Sequence, residues 1–160
     1  MSNNTTGLIV REDAPSFRTA EFAVHALLEH KAEDIVVLDL SADSDVADLF
    51  VVATAQSEPQ TTALSKSVVE ALHRSGEKPL STEGVEKGQW ALLDFVDVIV
   101  HIMLPRTREY YKLERLWNDA PRFDVPEDYF ARPDVAERHP ELPLVLRALA
   151  KNGDNDTDQA

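Results

Sequence analysis

The chain has no cysteine among its 160 residues, which excludes disulfides and thiolate-bound metals. Nothing in it approaches the roughly 20 consecutive apolar residues of a membrane-spanning helix. Its first residues, MSNNTTGLIVRED, lack the basic start and long apolar stretch of a secretory signal. The expected compartment is the cytoplasm. Basic residues are scarce: 16 Lys and Arg stand against 29 Asp and Glu, a formal net charge of -13. Phosphate backbones repel so acidic a chain, and direct nucleic-acid binding is disfavoured. An apolar fraction of 43% is enough to build the core of one ordinary domain.

Catalytic signatures are also missing. The five histidines do not form a metal set: His25 and His30 fall on one helix at i, i+5, and no HExxH occurs. Ser57, Ser65 and Ser81 stand outside any GxSxG context, and there is no GxxxxGK[ST]. Asp39, Asp43, Asp45 and Asp48 cluster around one loop. Such a set can hold magnesium for phosphoryl transfer, but Asp and Ser are also the common turn formers. With no glycine-rich phosphate cradle before them, the turn reading is preferred. No catalytic, cofactor or metal residue is assigned.

The periodic segments alternate in type. Ser16 is placed to cap a helix over residues 17–31. DIVVLDL, residues 34–40, reads as a buried strand, and DLFVVA, residues 48–53, as a second. Ser57 and Gln60 have capping-box spacing for a second helix, with Ala63, Leu64, Val68, Ala71 and Leu72 as its apolar stripe and Gly76 at its end. A short strand near residues 78–82 precedes two more, 89–94 and 97–104, and a third helix is predicted over 107–118. On it Tyr110, Leu113 and Trp117 share a face at i, i+3 and i+7. The order α-β-β-α-β-β-β-α predicts an α/β fold, a mixed sheet with helices packed on it. Residues 1–15 read as a flexible leader, 16–121 as the domain, and 122–160 as a partly disordered extension with a short helix near 143–151.

The last two long strands carry the most information. A two-residue turn at Phe95-Val96 pairs Asp94 with Asp97, Leu92 with Ile99 and Trp90 with His101. One face then shows Trp90, Leu92, Ile99, His101 and Met103, and the other Ala91, Leu93, Val98, Val100, Ile102 and Leu104. Both faces are apolar. The aliphatic one belongs under the first two helices. The Trp, His and Met of the other have the character of an interface, unless the third helix or the tail covers them. Residues 85–118 balance five basic groups against five acidic ones, so the rest of the chain carries the whole negative excess. A neutral apolar patch on an acidic body suits a basic protein partner.

These residues resemble the ribosomal silencing factor family, also called Iojap-like. The resemblance rests on DIVVLDL, on DLFVVATAQSEPQ, on Glu83-Gly84, on W-x-L-L-D-F-x-D-V-I-V-H from Trp90 to His101, and on R-x-x-Y-x-L-E-x-L-W from Arg108 to Trp117. It implies a nucleotidyltransferase-like topology without that superfamily's catalytic motif. It also implies a factor that binds the large ribosomal subunit through ribosomal protein L14, blocks joining of the small subunit, and represses translation under nutrient limitation. Carried onto this chain, the partner-binding residues are Trp90, His101 and Met103 on the strands and Arg108, Tyr111, Leu113 and Glu114 on the third helix. The family usually has Gly where Val96 stands. Two alternatives remain open at this point: a nucleotidyltransferase-like enzyme using Asp39, Asp43, Asp45 or Asp48 with magnesium, and a homodimeric interaction module.

Overall fold

The computed structural model describes residues 6–42 and 44–142. Asp43 and the helix expected near 143–151 lie outside the described residues. The elements are α1 (Pro15–Glu29), β1 (Glu33–Asp39), β2 (Leu49–Thr54), α2 (Glu58–Arg74), β3 (Ser81–Glu83), β4 (Trp90–Asp94), β5 (Val98–Met103), α3 (Pro105–Tyr111), α4 (Leu113–Leu116) and β6 (Arg122–Asp124). A 3-10 turn (Tyr129–Ala131) and α5 (Pro133–Arg138) follow. The strands form one mixed sheet in the order β3-β4-β5-β2-β1-β6. Only the β2–β5 pair is parallel.

Every residue of β2 and of β5 is buried, so both faces of the sheet centre must be covered. On one face, Val37, Val51, Ala53, Leu93, Val100 and Ile102 meet the apolar stripes of α1 and α2 in the larger core. On the other, Val36, Leu38, Phe50, Val52, Ile99 and Met103 form a smaller core closed by Leu113, Trp117 and Ala120. The alternation along each strand divides the residues between the two cores.

Helix starts follow local chemistry. Ser57 caps α2 by accepting the Gln60 N–H at 3.2 Å. The reciprocal bond of a capping box is displaced by one residue, since Gln60 Oε1 accepts from the Gln56 N–H at 2.7 Å. Two expectations fail here. Ser16 does not cap α1, which opens at Pro15 after Ala14 with no side-chain cap; proline is pre-set for a first helical position and has no N–H to satisfy. Ala63 is exposed on α2, and Thr61 and Ser65 take the buried positions beside Leu64 and Val68.

The hairpin register differs from the expected one by two residues. Trp90 faces Met103, Leu92 faces His101, and Asp94 faces Ile99. A shift of two preserves side-chain parity, so the expected face memberships hold although the cross-strand partners change. The tip is built on Val96. Phe95 N–H donates to the Val98 carbonyl at 2.8 Å, Asp97 N–H donates to the Phe95 carbonyl at 3.0 Å, and Asp94 Oδ1 accepts the Val96 N–H at 2.8 Å. This geometry puts Val96 at φ +73°, a region that a β-branched residue enters only under strain.

The predicted third helix is two helices. Lys112 adopts the left-handed conformation at φ 47°, ends α3, and redirects the chain into α4. Pro105 begins α3 as well as ending β5. The segments at both ends of the domain also pack. Leu8 and Val10 of the expected leader are buried, and Val10 N–H donates to Asp39 Oδ2 at 2.7 Å. After Pro121, β6 adds an edge to β1, and Tyr129, Phe130 and Val135 enter the larger core. Glu21 on α1 anchors this last segment, taking His139 at 2.6 Å, the Tyr129 hydroxyl at 2.5 Å and Arg138 at 2.8 Å. Burial alone would raise the Glu21 pKa, but these donors outweigh it and hold the carboxylate below its ordinary range.

Replacing Val96 by glycine should remove the strain at the tip. The expected gain is about 1 kcal/mol, the lower end of the cost of a disfavoured backbone conformation, offset in part by the greater freedom of glycine in the unfolded chain. It should appear as a higher urea midpoint with an unchanged slope. A lower midpoint would mean that the Val96 side chain contributes more than its backbone costs.

Candidate functional site

The candidate surface is the part of the smaller core's face that α3 and α4 leave open. In β4 the residues on that face, Trp90, Leu92 and Asp94, are half-buried, while Ala91 and Leu93 on the other face are fully buried. Gly84 lets the chain pass close beneath: a β-carbon there would lie 2.0 Å from the Trp90 carbonyl oxygen, which accounts for the Glu83-Gly84 pair before β4.

Trp90 is held in two ways. Its Nε1–H donates to His101 Nδ1 at 3.1 Å, and its ring lies against Tyr111, with centroids 4.8 Å apart. Tyr111 in turn meets Tyr110 edge to face at 4.9 Å. Below them, His101 packs on Phe50 at 4.6 Å, and Phe50 meets Trp117 at 5.9 Å. The result is a continuous aromatic layer running from the exposed helix into the core, with each ring in a tilted or edge contact.

Accepting at Nδ1 requires the neutral imidazole with its proton on Nε2. Burial favours the same state and pushes the His101 pKa down to about 4. His101 Nε2 is buried without a partner. His101 therefore serves as a neutral acceptor that fixes the Trp90 rotamer.

Arg108 organises the other half of the site. Its Nε and Nη2 donate to the two oxygens of Glu114 at 3.0 and 3.2 Å. Its Nη1 donates to the Asp34 carbonyl at 2.7 Å and to Thr54 Oγ1 at 2.8 Å. One guanidinium thus ties α3 to α4, to the start of β1 and to the end of β2. Asp34 is itself in the left-handed region at φ 48°, beside a register irregularity of β1, and this turns its carbonyl outward. The pair also explains the break at Lys112. On a continuous helix only residues three or four apart meet, whereas Arg108 and Glu114 are six apart. The left-handed turn at Lys112 closes that gap and drives Leu113 into the smaller core, where 8% of it stays exposed.

The seven residues expected to touch a partner therefore separate into two layers. Tyr111, 53% exposed, stands at the surface, with Trp90 half-buried against it. Met103 has 0% exposure and His101 4%; with Leu113 they support the surface from beneath. Arg108 and Glu114 are mostly covered and spend their charges on each other. Two exposed residues carry more of the surface than the sequence pattern suggested: Tyr110, 78% exposed, and Leu116, 74% exposed. A single uninterrupted helix would have turned Tyr110 inward with Leu113 and Trp117. The break at Lys112 turns it out, and no sequence period announces that break.

Of the aspartate cluster, Asp39 is otherwise employed. Asp39 is 1% exposed; one oxygen takes the Val10 N–H and the other the N–H and hydroxyl of Ser41. It is a turn-forming carboxylate. Among the described residues no group of three or more His, Asp or Glu side chains is arranged to hold a metal ion, and no helix is long and apolar enough to cross a membrane.

Two outcomes test this geometry. Arg108→Ala strips Glu114, Thr54 and the Asp34 carbonyl of one shared donor, and should cost about 2–4 kcal/mol of folding stability, read as a fall in the denaturation midpoint. Arg108→Lys should recover only part of it, because an ammonium cannot reproduce the fork. His101 should stay neutral in the native state until the pH nears 4, while the unfolded chain protonates it near 6.5. The unfolded state then binds more protons between those values, so this contribution to stability is complete above pH 6.5 and falls as the pH drops toward 4. An NMR titration of the imidazole with a midpoint near 6.5 would contradict the buried Trp90–His101 pair.

Comparison with known proteins gives a consistent picture. A family model described as "Ribosomal silencing factor during starvation" matches residues 12–143. The chain is 40% identical over 107 residues to the ribosomal silencing factor of Chromobacterium violaceum, covering 66% of this chain and 88% of that protein. It is 35% identical over 105 residues to that of Bacillus subtilis, covering 66% and 89%. With the chloroplastic protein Iojap of Arabidopsis thaliana it shares 31% identity over 124 residues, 78% of this chain and 52% of that protein. Among solved structures, a crystal structure from Chromobacterium violaceum superposes with a TM-score of 0.64 at 36% identity, covering 71% of this chain and 91% of that one. One from Bacillus halodurans gives 0.61 at 31% identity, covering 68% and 99%.

Proposed function

Because the chain belongs to the ribosomal silencing factor family, we propose that it binds the large ribosomal subunit through ribosomal protein L14 and sterically blocks joining of the small subunit, lowering translation when nutrients are short. The observation that carries this reading is the Tyr110–Tyr111–Trp90 surface. It is an exposed aromatic edge on a sheet face whose deeper residues are already closed. Tyrosine and tryptophan are the residue types most enriched at binding hot spots. The aromatic surface lies within the charge-neutral segment of a chain whose net charge is -13. The acidic body steers a basic protein toward the surface, and the rings supply the contact area.

The proposed mechanism is occlusion. No bond is made or broken, and the factor occupies a surface the small subunit requires. The role of Asp39 as a saturated turn former supports a factor without catalysis.

Co-sedimentation with isolated large and small subunits, followed by a subunit-joining assay, tests the proposal. The wild-type protein should pellet with the large subunit alone and block joining. Tyr111→Ala, which removes an exposed ring, should weaken that binding about tenfold or more, as for a hot-spot residue, with an unchanged thermal midpoint. Trp90→Ala should weaken it too, but its half-buried ring requires that folding be checked first. Binding to neither subunit, or full binding by a folded Tyr111→Ala, would overturn the assignment of this surface.

A further inference from the structure

The chain has nearly twice as many carboxylates as basic groups, so each arginine has an abundance of partners. Of the nine arginines among the described residues, six hold a carboxylate at 2.8–3.3 Å. Arg132 lies over the Tyr129 ring at 5.7 Å. Arg106 and Arg115 alone have neither kind of partner among the described residues. Both are exposed, and both stand on the two short helices that carry Tyr110 and Tyr111. Lys112, exposed and likewise without an ion pair among the described residues, occupies the break between those helices.

They bracket the tyrosine pair along the chain. Arg106 is four residues before Tyr110 and shares its side of α3. Lys112 and Arg115 line a cleft of about 700 Å3 on the other side, together with Gln56, Asn118 and Arg122. The carboxylates of Asp34 and Glu109 also reach this cleft, and Glu114 is neutralised by Arg108. Across α3 and α4, four basic groups face two acidic ones, a local balance of +2 in a chain of -13.

A positive rim is the wrong sign for a basic protein. The acidic body attracts such a partner, while these cations would repel it, and each remains unpaired where carboxylates are plentiful. Two unpaired arginines and a lysine on the docking helices are suited to an anion in the bound state. We propose that Arg106, Lys112 and Arg115 contact the sugar-phosphate backbone of RNA on the large subunit, beside the protein contact made by the tyrosines. This rests on the reading above that the surface docks on the large subunit. The docking site is then a protein–RNA junction. The acidic body prevents stable capture of free RNA, so the phosphate contact operates only when the protein contact has anchored the factor. Arginine forks suit phosphate oxygens, and the exposed Tyr110 ring is available for a neighbouring base.

The test compares the wild-type full-length protein with the triple variant Arg106→Gln, Lys112→Gln and Arg115→Gln. Affinities are measured for isolated large subunits across salt concentrations and for purified ribosomal protein L14 at one salt concentration. All three side chains are exposed, so the variant should keep the wild-type thermal midpoint. Each lost phosphate contact lowers the salt slope by about 0.7–0.9. Between 50 and 200 mM salt the wild type should therefore lose about 30-fold more affinity for the subunit than the variant does, while the two bind the isolated protein equally. Equal salt slopes for the two would overturn the RNA contact and leave the protein contact standing. A parallel loss on the isolated protein would assign the cations to a protein partner and also overturn it. Tight binding of the wild type to free large-subunit RNA would contradict the anchoring order. Failure of the wild type to bind the large subunit at all would remove the underlying functional reading, a result distinct from a defect confined to the variant.

Discussion

The guanidinium of Arg108 ties down the helices that close the sheet face the long helices do not reach. β2 and β5 are buried on both faces, and α1 and α2 cover only one. On the other side, the described residues offer two short helices, of seven and four residues. Helices so short have little stability of their own. They are held by tertiary contacts: Leu113 and Trp117 in the smaller core, and Arg108 binding Glu114, Thr54 and the Asp34 carbonyl at once. The left-handed Lys112 and the left-handed Asp34 are both conformational costs. Each puts an acceptor within reach of the same side chain, so the two distortions and the ion pair are one arrangement.

From that arrangement the aromatic surface follows. The break at Lys112 sends Leu113 inward and leaves Tyr110 and Tyr111 outward. Tyr111 then rests on Trp90, whose indole is fixed by a neutral His101. Keeping His101 neutral depends on burial among Phe50 and its neighbours, that is, on the same small core that Leu113 completes. Charge, packing and exposure at this surface are therefore coupled, and a change at Arg108 would be felt at Trp90 without touching it.

Much of this was legible in the sequence wherever periodicity governs. Alternation alone assigns the two faces of β4 and β5, and the two-residue difference in register leaves them unchanged because it is even. That difference arises at the tip. A Val stands at φ +73°, where a turn ordinarily takes glycine, so the residue that would have marked the turn carries no signal. The helix break at Lys112 was invisible for a related reason: KLER continues a good helical pattern, and only the pairing of Arg108 with Glu114 across six residues reveals the interruption. β6 is three residues long, too short for any period, and its place is set by β1 and by the Asp39 N–H bonded to the Pro121 carbonyl at 2.9 Å. The aromatic residues of the site were readable. Which of them lie on the surface was not, because exposure depends on that break.

A factor acting by the proposed occlusion must hold its bulk in a fixed orientation on its target, and this requirement bears on how the surface is built. Ordering a side chain on binding costs roughly 0.5–1.5 kcal/mol for each rotamer-rich group. Here the groups are already ordered: Trp90 by its hydrogen bond and Tyr111 by the Trp90 ring. The buried Met103, Leu113 and His101 contribute rigidity beneath the proposed contact surface, so a substitution there and a substitution at Tyr111 act by different routes. One alters the shape presented, and the other removes the ring proposed to make contact. A preorganised aromatic edge on a closed core transmits the position of the docked face to the whole domain. Under the occlusion proposed above, this rigidity is itself part of the mechanism.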